Sequence, residues 1–228
     1  MSTLYIVATP IGNLKDITYR ALEILQQVDY ILCEDTRITG KLLNHYDLKK
    51  SLISFNEFNE DLKLENAIND LKHNKSVALV SDAGSPLISD PGYKLVRDCI
   101  SKGIKVEVIP GPAASIAALT VSGLPPDKFL FLGYLPKKQG KRKNVLKSLS
   151  IVLKTAQDNK MKFTVIVYES PYRLLGLLSD IQDIFGDIEI VICRELTKLH
   201  EEVRREKISK AIEHFSKTLP KGEFTLLF

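Results

Sequence analysis

The sequence predicts an α/β protein of two domains, each a mixed, parallel-rich sheet flanked by helices. Three observations carry this expectation. Short apolar, β-rich runs alternate with helical patterns along the chain. Several of these runs are continuously apolar, as strands covered on both faces are. The pattern is interrupted near the middle by SGLPPDK, which begins at Ser122 and joins a glycine to paired prolines. Residues 1–122 are therefore read as an N-terminal domain, 123–128 as a linker and 129–228 as a second domain. The 228 residues allow a core in each, at the usual ~150 per domain.

The elements follow in order. Leu4 to Thr9 is a first strand, and PIGN after it leads to a helix with Asp16 as its expected N-cap and Ile17, Ala21, Ile24, Leu25 and Val28 on its apolar face. Strand followed by turn-rich loop recurs at Tyr30 to Cys33 before CEDTR, at Val77 to Val80 before SDAGSPLISDPG, and at Val106 to Ile109 before PGPAAS. In the second half, strands are expected at Phe129 to Tyr134, Phe163 to Tyr168 and Ile188 to Cys193, with helices around Tyr172 to Phe185 and Ile208 to Phe215. The final strand, Thr225 to Phe228, reads as an edge strand without a flank, as if cut from a longer parent.

Composition excludes several classes. A hydrophobic share of 44% with 26% charged residues is that of a soluble globular protein. No apolar run approaches the ~18 residues of a membrane span, and MSTLYIVATP lacks the basic region of a secretory signal, so the chain is read as cytosolic. Cys33, Cys99 and Cys193 are isolated and odd in number, and four scattered histidines form no paired motif, so neither a disulfide framework nor a metal is expected. GxxxxGK[ST], GxGxxG, GxSxG and HExxH are absent.

Charge is concentrated in residues 137–162. That segment holds nine Lys or Arg against one acid, a net +8, while the whole chain carries +4. Lys137, Lys138, Lys141, Arg142 and Lys143 are its densest part, and such a footprint suits either a polyphosphate partner or a solvated helix face.

The stretch LVSDAGSPLISDPG, Leu79 to Gly92, is the most turn-rich. Gly84 is able to adopt a positive φ and let a ligand approach the backbone, while Pro86 and Pro91 stiffen the loop. With PIGN and PGPAA, it suits a ligand held by backbone groups rather than one bearing several phosphates; taken alone, it is also an ordinary strand-to-helix connection. Glu34, Asp35 and Glu169 are the acid–base candidates, and Arg37, Arg173 and Arg194 could hold an anion or fix loops through ion pairs.

VATPIGNLKDIT, CEDTR, VSDAGSPLISDPG, IPGPAA, GYLPKK, YESPYR and RELTKLHEEV occur together, in order, across essentially the whole chain. In this the sequence resembles the ribosomal RNA small subunit methyltransferase I group of the tetrapyrrole methylase superfamily, the class III S-adenosylmethionine-dependent methyltransferases. The resemblance implies two α/β domains with S-adenosylmethionine in the cleft between them. It implies methyl transfer to the ribose 2′-oxygen of a cytidine in the decoding region of small-subunit (16S) ribosomal RNA, by a cytoplasmic homodimer acting on the RNA or the 30S subunit. By the same resemblance Gly84, Ser85, Ile88, Ala113, Ala114, Leu196 and Thr197 bind the cofactor. Among the acid–base candidates, Asp35 and Glu169 are chosen for the catalytic work, and the charge density of Lys137, Lys138, Lys141, Arg142 and Lys143 assigns them to RNA. A tetrapyrrole-precursor methyltransferase and a noncatalytic RNA-binding protein are the alternatives, and the shared fold alone does not separate them.

Overall fold

The computed structural model describes residues 2–228. Among the described residues, ten strands and eight α-helices follow in the order β1 (Thr3–Val7), α1 (Tyr19–Gln27), β2 (Tyr30–Cys33), α2 (Thr36–His45), β3 (Ser51–Ser54), α3 (Glu60–Lys72), β4 (Val77–Val80), α4 (Tyr93–Ser101), β5 (Lys105–Ile109), α5 (Ala114–Ser122), β6 (Phe129–Tyr134), α6 (Gln139–Asp158), β7 (Thr164–Glu169), α7 (Leu174–Phe185), β8 (Glu189–Arg194), β9 (Glu202–Lys207), α8 (Ile208–Lys217) and β10 (Phe224–Leu227). They form two compact units, the first ending at Ala113 and the second running Ala114–Phe228. This division falls ahead of α5, whereas the sequence reading puts it at residues 123–128, because α5 packs on β7, β8, β9 and β10.

The first unit is a wholly parallel sheet in the order β3-β2-β4-β1-β5. Alternate residues of its central strands feed two separate cores. Leu4, Leu32, Val77 and Leu79 join one with α3 and α4 residues such as Leu71 and Leu95, and Val7, Ile31, Ala78 and Val80 join the other with Ala21 and Leu25 of α1. Burial on both faces is why β2 and β4 read as unbroken apolar runs. α1 starts later than expected: Asp16 ends a 3-10 turn, Leu14–Asp16, and Thr18 is the N-cap, its hydroxyl accepting the Ala21 N–H.

The second unit is a mixed sheet in the order β6-β7-β10-β8-β9. β6 and β7 are parallel; β10 runs antiparallel to β7 and β8, and β9 antiparallel to β8. The last strand is thus central, a correction to the edge strand expected. All four residues of β10 are buried, and its ladder bonds go to neighbours on both sides. α6, α7 and α8 cover one face through Leu146, Leu149, Leu177, Ile181, Ala211 and Phe215.

Two strands escape the sequence reading, and both are edges. β3 is half-exposed SLIS. β9 is EVRREK, whose Arg204 is tied to Glu202 and Glu206 at 3.1 and 2.6 Å. Charge on an edge strand deters pairing with another chain, and it also erases the apolar signature of a strand.

Candidate functional site

The loops after β1, β4 and β5 are sewn together at one end of the first sheet. Thr9 and Gly84 exchange backbone hydrogen bonds of 2.9 and 3.0 Å, and the Thr9 hydroxyl donates to the Ser81 carbonyl at 3.1 Å. The Ser81 hydroxyl donates to the Gly84 carbonyl at 3.1 Å, and that of Ser85 to the Pro112 carbonyl at 3.3 Å. VATPIGN, VSDAGSP and IPGPAA, far apart in sequence, therefore form one rigid cradle.

The loop after β4 adopts left-handed backbone repeatedly. Gly84 has φ +85°, and a β-carbon there would lie 3.3 Å from Ile11 Cγ2. Leu87 and Ser89 also adopt positive φ, 71° and 72°, which side-chain-bearing residues rarely do. Such conformations persist where the surroundings enforce them, and they cluster at ligand sites. Ile88, between the two, is 46% exposed.

The connections also place this end of the sheet at a topological switch point. From β1 the chain moves across β4 to β2, while from β4 it moves across β1 to β5. Adjacent strands whose loops depart in opposite directions leave a crevice beyond their carboxyl ends, where α/β sheets hold ligands. A cavity of about 370 Å³ lies there, lined by Thr9 and Pro10 after β1, Ser81 and Asp82 after β4, Leu14 of the 3-10 turn, and Ile38, Thr39, Lys41 and Leu42 of α2.

Carboxylates gather around this crevice. Burial raises the pKa of Glu34 and of Asp82, and pushes Asp90 up to about 7, with the charges of Glu34 and Asp82 adding to the effect on Asp90. Asp35 differs. Its carboxylate caps α2 by accepting the Arg37 N–H at 2.8 Å and grips the Arg37 guanidinium, and these bonds hold its pKa down to about 2. A carboxylate so clamped is a poor base. Asp82 and Asp90 were overlooked in the sequence because aspartate between glycines and prolines reads as turn chemistry.

In the second unit, Glu169 ends β7 as a buried side chain whose pKa is raised by that burial. Its Oε1 accepts the Ser170 N–H at 2.8 Å, and its Oε2 lies 3.0 Å from an Arg173 guanidinium nitrogen without a well-directed hydrogen bond. Arg173 in turn donates to the Leu135 carbonyl at 2.6 Å, which fastens YESPYR to GYLPKK. Ala114 opens α5, but the next amide, that of Ser115, already donates to the Tyr168 hydroxyl at 2.9 Å. Ala113 is half-buried at the end of the first unit. Leu196 is buried, and Thr197 has φ 66° with its N–H bonded to Glu201. Arg194 donates to the Lys221 carbonyl at 2.7 Å and lies 3.5 Å from Glu202.

The basic segment is mostly α6, and its five expected RNA contacts divide sharply. Lys137, Lys138 and Lys141 are exposed, with no ion pair among the described residues. Arg142 is withdrawn from that role: only 6% exposed, it donates to Asp180 at 2.7 Å and to the Gly176 carbonyl. Lys143 is bound to Asp183 at 2.8 Å, which raises its pKa. Helical periodicity turns every third or fourth residue inward, as it does Arg142, Leu146 and Leu149, so a run of like charges cannot face solvent throughout. Lys147 and Lys154, further along α6, are exposed in their place.

This fold, with its sewn loops, is that of a known class: the model of the Tetrapyrrole (Corrin/Porphyrin) Methylases matches residues 3–212. Among solved structures, the chain is similar to diphthine synthase, with a TM-score of 0.76, 16% identity and cover of 100% of this chain and 90% of the other. It is also similar to uroporphyrin-III-C-methyltransferase from Thermus thermophilus, at 0.66, 18%, 100% and 94%. At that identity the likeness concerns fold alone. The sequence is 51% identical to Ribosomal RNA small subunit methyltransferase I of Thermotoga maritima over 100% of this chain and 98% of the relative, and 46% identical to that of Mycoplasmopsis pulmonis over 100% and 98%. With the Halalkalibacterium halodurans protein of the same name the figures are 45%, 99% and 75%. The chain belongs to the ribosomal RNA small subunit methyltransferase I family.

Proposed function

We propose that the chain transfers the methyl group of S-adenosylmethionine to the ribose 2′-oxygen of a cytidine in the decoding region of small-subunit ribosomal RNA. The observation that carries this reading is the sewing of three family motifs into one cradle through Thr9, Gly84 and Ser85. The cradle suits a closely held ligand because its loops are small and fixed: Gly84 adopts φ +85° against Ile11, and Gly111 packs so tightly that a β-carbon there would lie 2.9 Å from that of Ala8. In this reading Gly84, Ser85, Ile88, Ala113, Ala114, Leu196 and Thr197 are the residues that meet the cofactor.

A sulfonium methyl is already activated, so the protein supplies alignment of the ribose oxygen and a destination for its proton. Asp35, kept ionised by Arg37, sets the start of α2, and Glu169 sets the YESPYR turn; both act as positioning residues. Burial raises the pKa of both Glu34 and Glu169, but Glu169 is paired with Arg173 while Glu34 has no ion pair among the described residues, so Glu34 is the carboxylate of that set free to accept a proton. Lys137, Lys138 and Lys141, with Lys147 and Lys154, meet RNA phosphates. The enzyme works as a cytoplasmic homodimer, and a monomer mass by light scattering at micromolar concentration would remove that part.

Transfer from labelled S-adenosylmethionine to isolated small subunits, run beside a tetrapyrrole precursor, tests the reading. Label is expected in a single cytidine ribose and none in the tetrapyrrole. Label in the tetrapyrrole alone, or cofactor binding with no transfer to either, would overturn it.

A further inference from the structure

The cavity beyond β1 and β4 is not lined by any of the residues assigned above to the cofactor. We infer that it receives the target nucleobase, a pyrimidine bearing an exocyclic amine, swung out of its stack. This rests on the function proposed above and adds to it where, and by which groups, the substrate is gripped.

The walls of the cavity are held by the protein's own hydrogen bonds. The Tyr46 hydroxyl donates to the Leu14 carbonyl at 2.5 Å, which fixes the 3-10 turn against the end of α2. The Asp35 N–H donates to Asp82 Oδ1 at 3.0 Å, tying the start of α2 to the loop after β4. Thr9 is locked to Gly84 on the remaining side. Two walls are apolar: Ile38 and Leu42, one helical turn apart, and Pro10 with Leu14. Ile38 and Leu14 stay 43% and 38% exposed, which leaves apolar surface at the cavity for something flat to lie against.

Size and polarity narrow the occupant. About 370 Å³ is near the lower end of the ~300–1,000 Å³ of small-molecule sites, room for one nucleoside and too little for a four-ring macrocycle. The floor bears the Asp82 carboxylate, which has no ion pair among the described residues, so a phosphate or carboxylate group is repelled there. Asp82 spends Oδ1 on the Asp35 amide, and Oδ2 has capacity to accept a donor. Aspartate accepts from the exocyclic amine of cytosine, and uracil presents an acceptor at the same position. A flipped base lying between apolar walls with its pairing edge on a polar floor is how enzymes hold a nucleotide that its own stack would otherwise hide. Lys41, exposed at the rim, is placed for the flanking phosphate.

The test uses the full chain with S-adenosylmethionine and small subunits carrying cytidine or uridine at the target. Ile38→Trp, which fills the cavity, is expected to lower methyl transfer at least 50-fold while calorimetric cofactor affinity stays within threefold. Asp82→Asn, which adds a donor, is expected to narrow a tenfold or larger preference for cytidine to below threefold. Full transfer by Ile38→Trp, or an unchanged preference in Asp82→Asn, overturns the inference. A parallel loss of cofactor affinity and transfer would give the cavity to the cofactor instead. Saturation-transfer NMR with free cytidine and uridine needs neither variant to fold nor any turnover: signal from cytidine and little from uridine supports the assignment, and none from cytidine at millimolar concentration refutes it. If the wild type transfers no methyl to small subunits while cytidine still gives signal, the proposed reaction fails and the base pocket stands.

Discussion

The two sheets handle buried charge in opposite ways. In the second, Asp180 is fully buried and meets Arg142 at once, with Gln139 on its other oxygen and Lys143 close by. In the first, Glu34, Asp82 and Asp90 crowd one end of a parallel sheet, and none has a basic partner within ion-pair distance among the described residues. Half-buried carboxylates without a basic partner raise one another's pKa and are held at a cost, which points to a use other than stability. The first unit is armed; the second is neutralised inside and cationic outside.

The most forceful way to break this comparison is to cut the ion pair in the second sheet. Asp180→Ala leaves the Arg142 guanidinium buried and unmatched and is expected to cost about 3–5 kcal/mol, read from urea denaturation. Replacing both partners by apolar residues of similar volume should return most of that loss. A single variant as stable as the wild type would show that Arg142 reaches solvent, and would restore it as an RNA contact.

Next in size is the cradle. Gly84→Val puts a β-branched residue at φ +85°, with its β-carbon against Ile11 and the Pro112 carbonyl, and so forces the cradle apart. S-adenosylmethionine affinity should fall more than 100-fold, close to 3 kcal/mol, while far-ultraviolet circular dichroism still reports a folded chain. Normal cofactor binding by this variant would reduce the loop to a connection.

Much of this was legible in sequence, and the exceptions share a cause. β2, β4 and β6 have the expected bounds because apolar runs and the glycine and proline signals around them agree. The cradle was legible as small, stiff loops, since Gly84 must be free of a side chain whatever surrounds it. β3, β9 and the central place of β10 were not, because edge position and strand order depend on pairings between segments distant in the chain. The fate of Arg142 was hidden for a related reason: only its partner, 38 residues away, separates it from Lys141.

A smaller effect sharpens the contrast from the outside of the second unit. Replacing Lys137, Lys138 and Lys141 by Gln should weaken RNA binding and flatten its salt dependence by roughly 0.7–0.9 in slope for each contact removed. Lys143→Gln should change the slope little, since Asp183 already occupies that ammonium. Cofactor affinity, measured beside it, should not move. A slope untouched by the triple variant would make this charge a solvated face.

The smallest expected effect is a pH dependence belonging to the first unit alone. Asp90 holds its proton up to about pH 7 in the folded chain, because burial and the neighbouring Glu34 and Asp82 disfavour its charge, with the Ser81 hydroxyl bond only partly opposing them. Unfolded, the same carboxyl titrates near ~4. Between those values the folded state binds more protons than the unfolded one, so this group's contribution to stability declines as pH rises from about 4 to about 7 and stays lost above. Asn does not ionise. Asp90→Asn should therefore match the wild type near pH 4 and exceed it at pH 8 by about 1 kcal/mol, a value discounted for the partial exposure of the site, or ~2–4 °C in melting temperature. Calorimetric melts of both proteins at several pH values decide it. A constant difference across the range would mean that Asp90 is solvated and that the first unit does not hold its carboxylates in the uncompensated state on which the contrast with Asp180 depends.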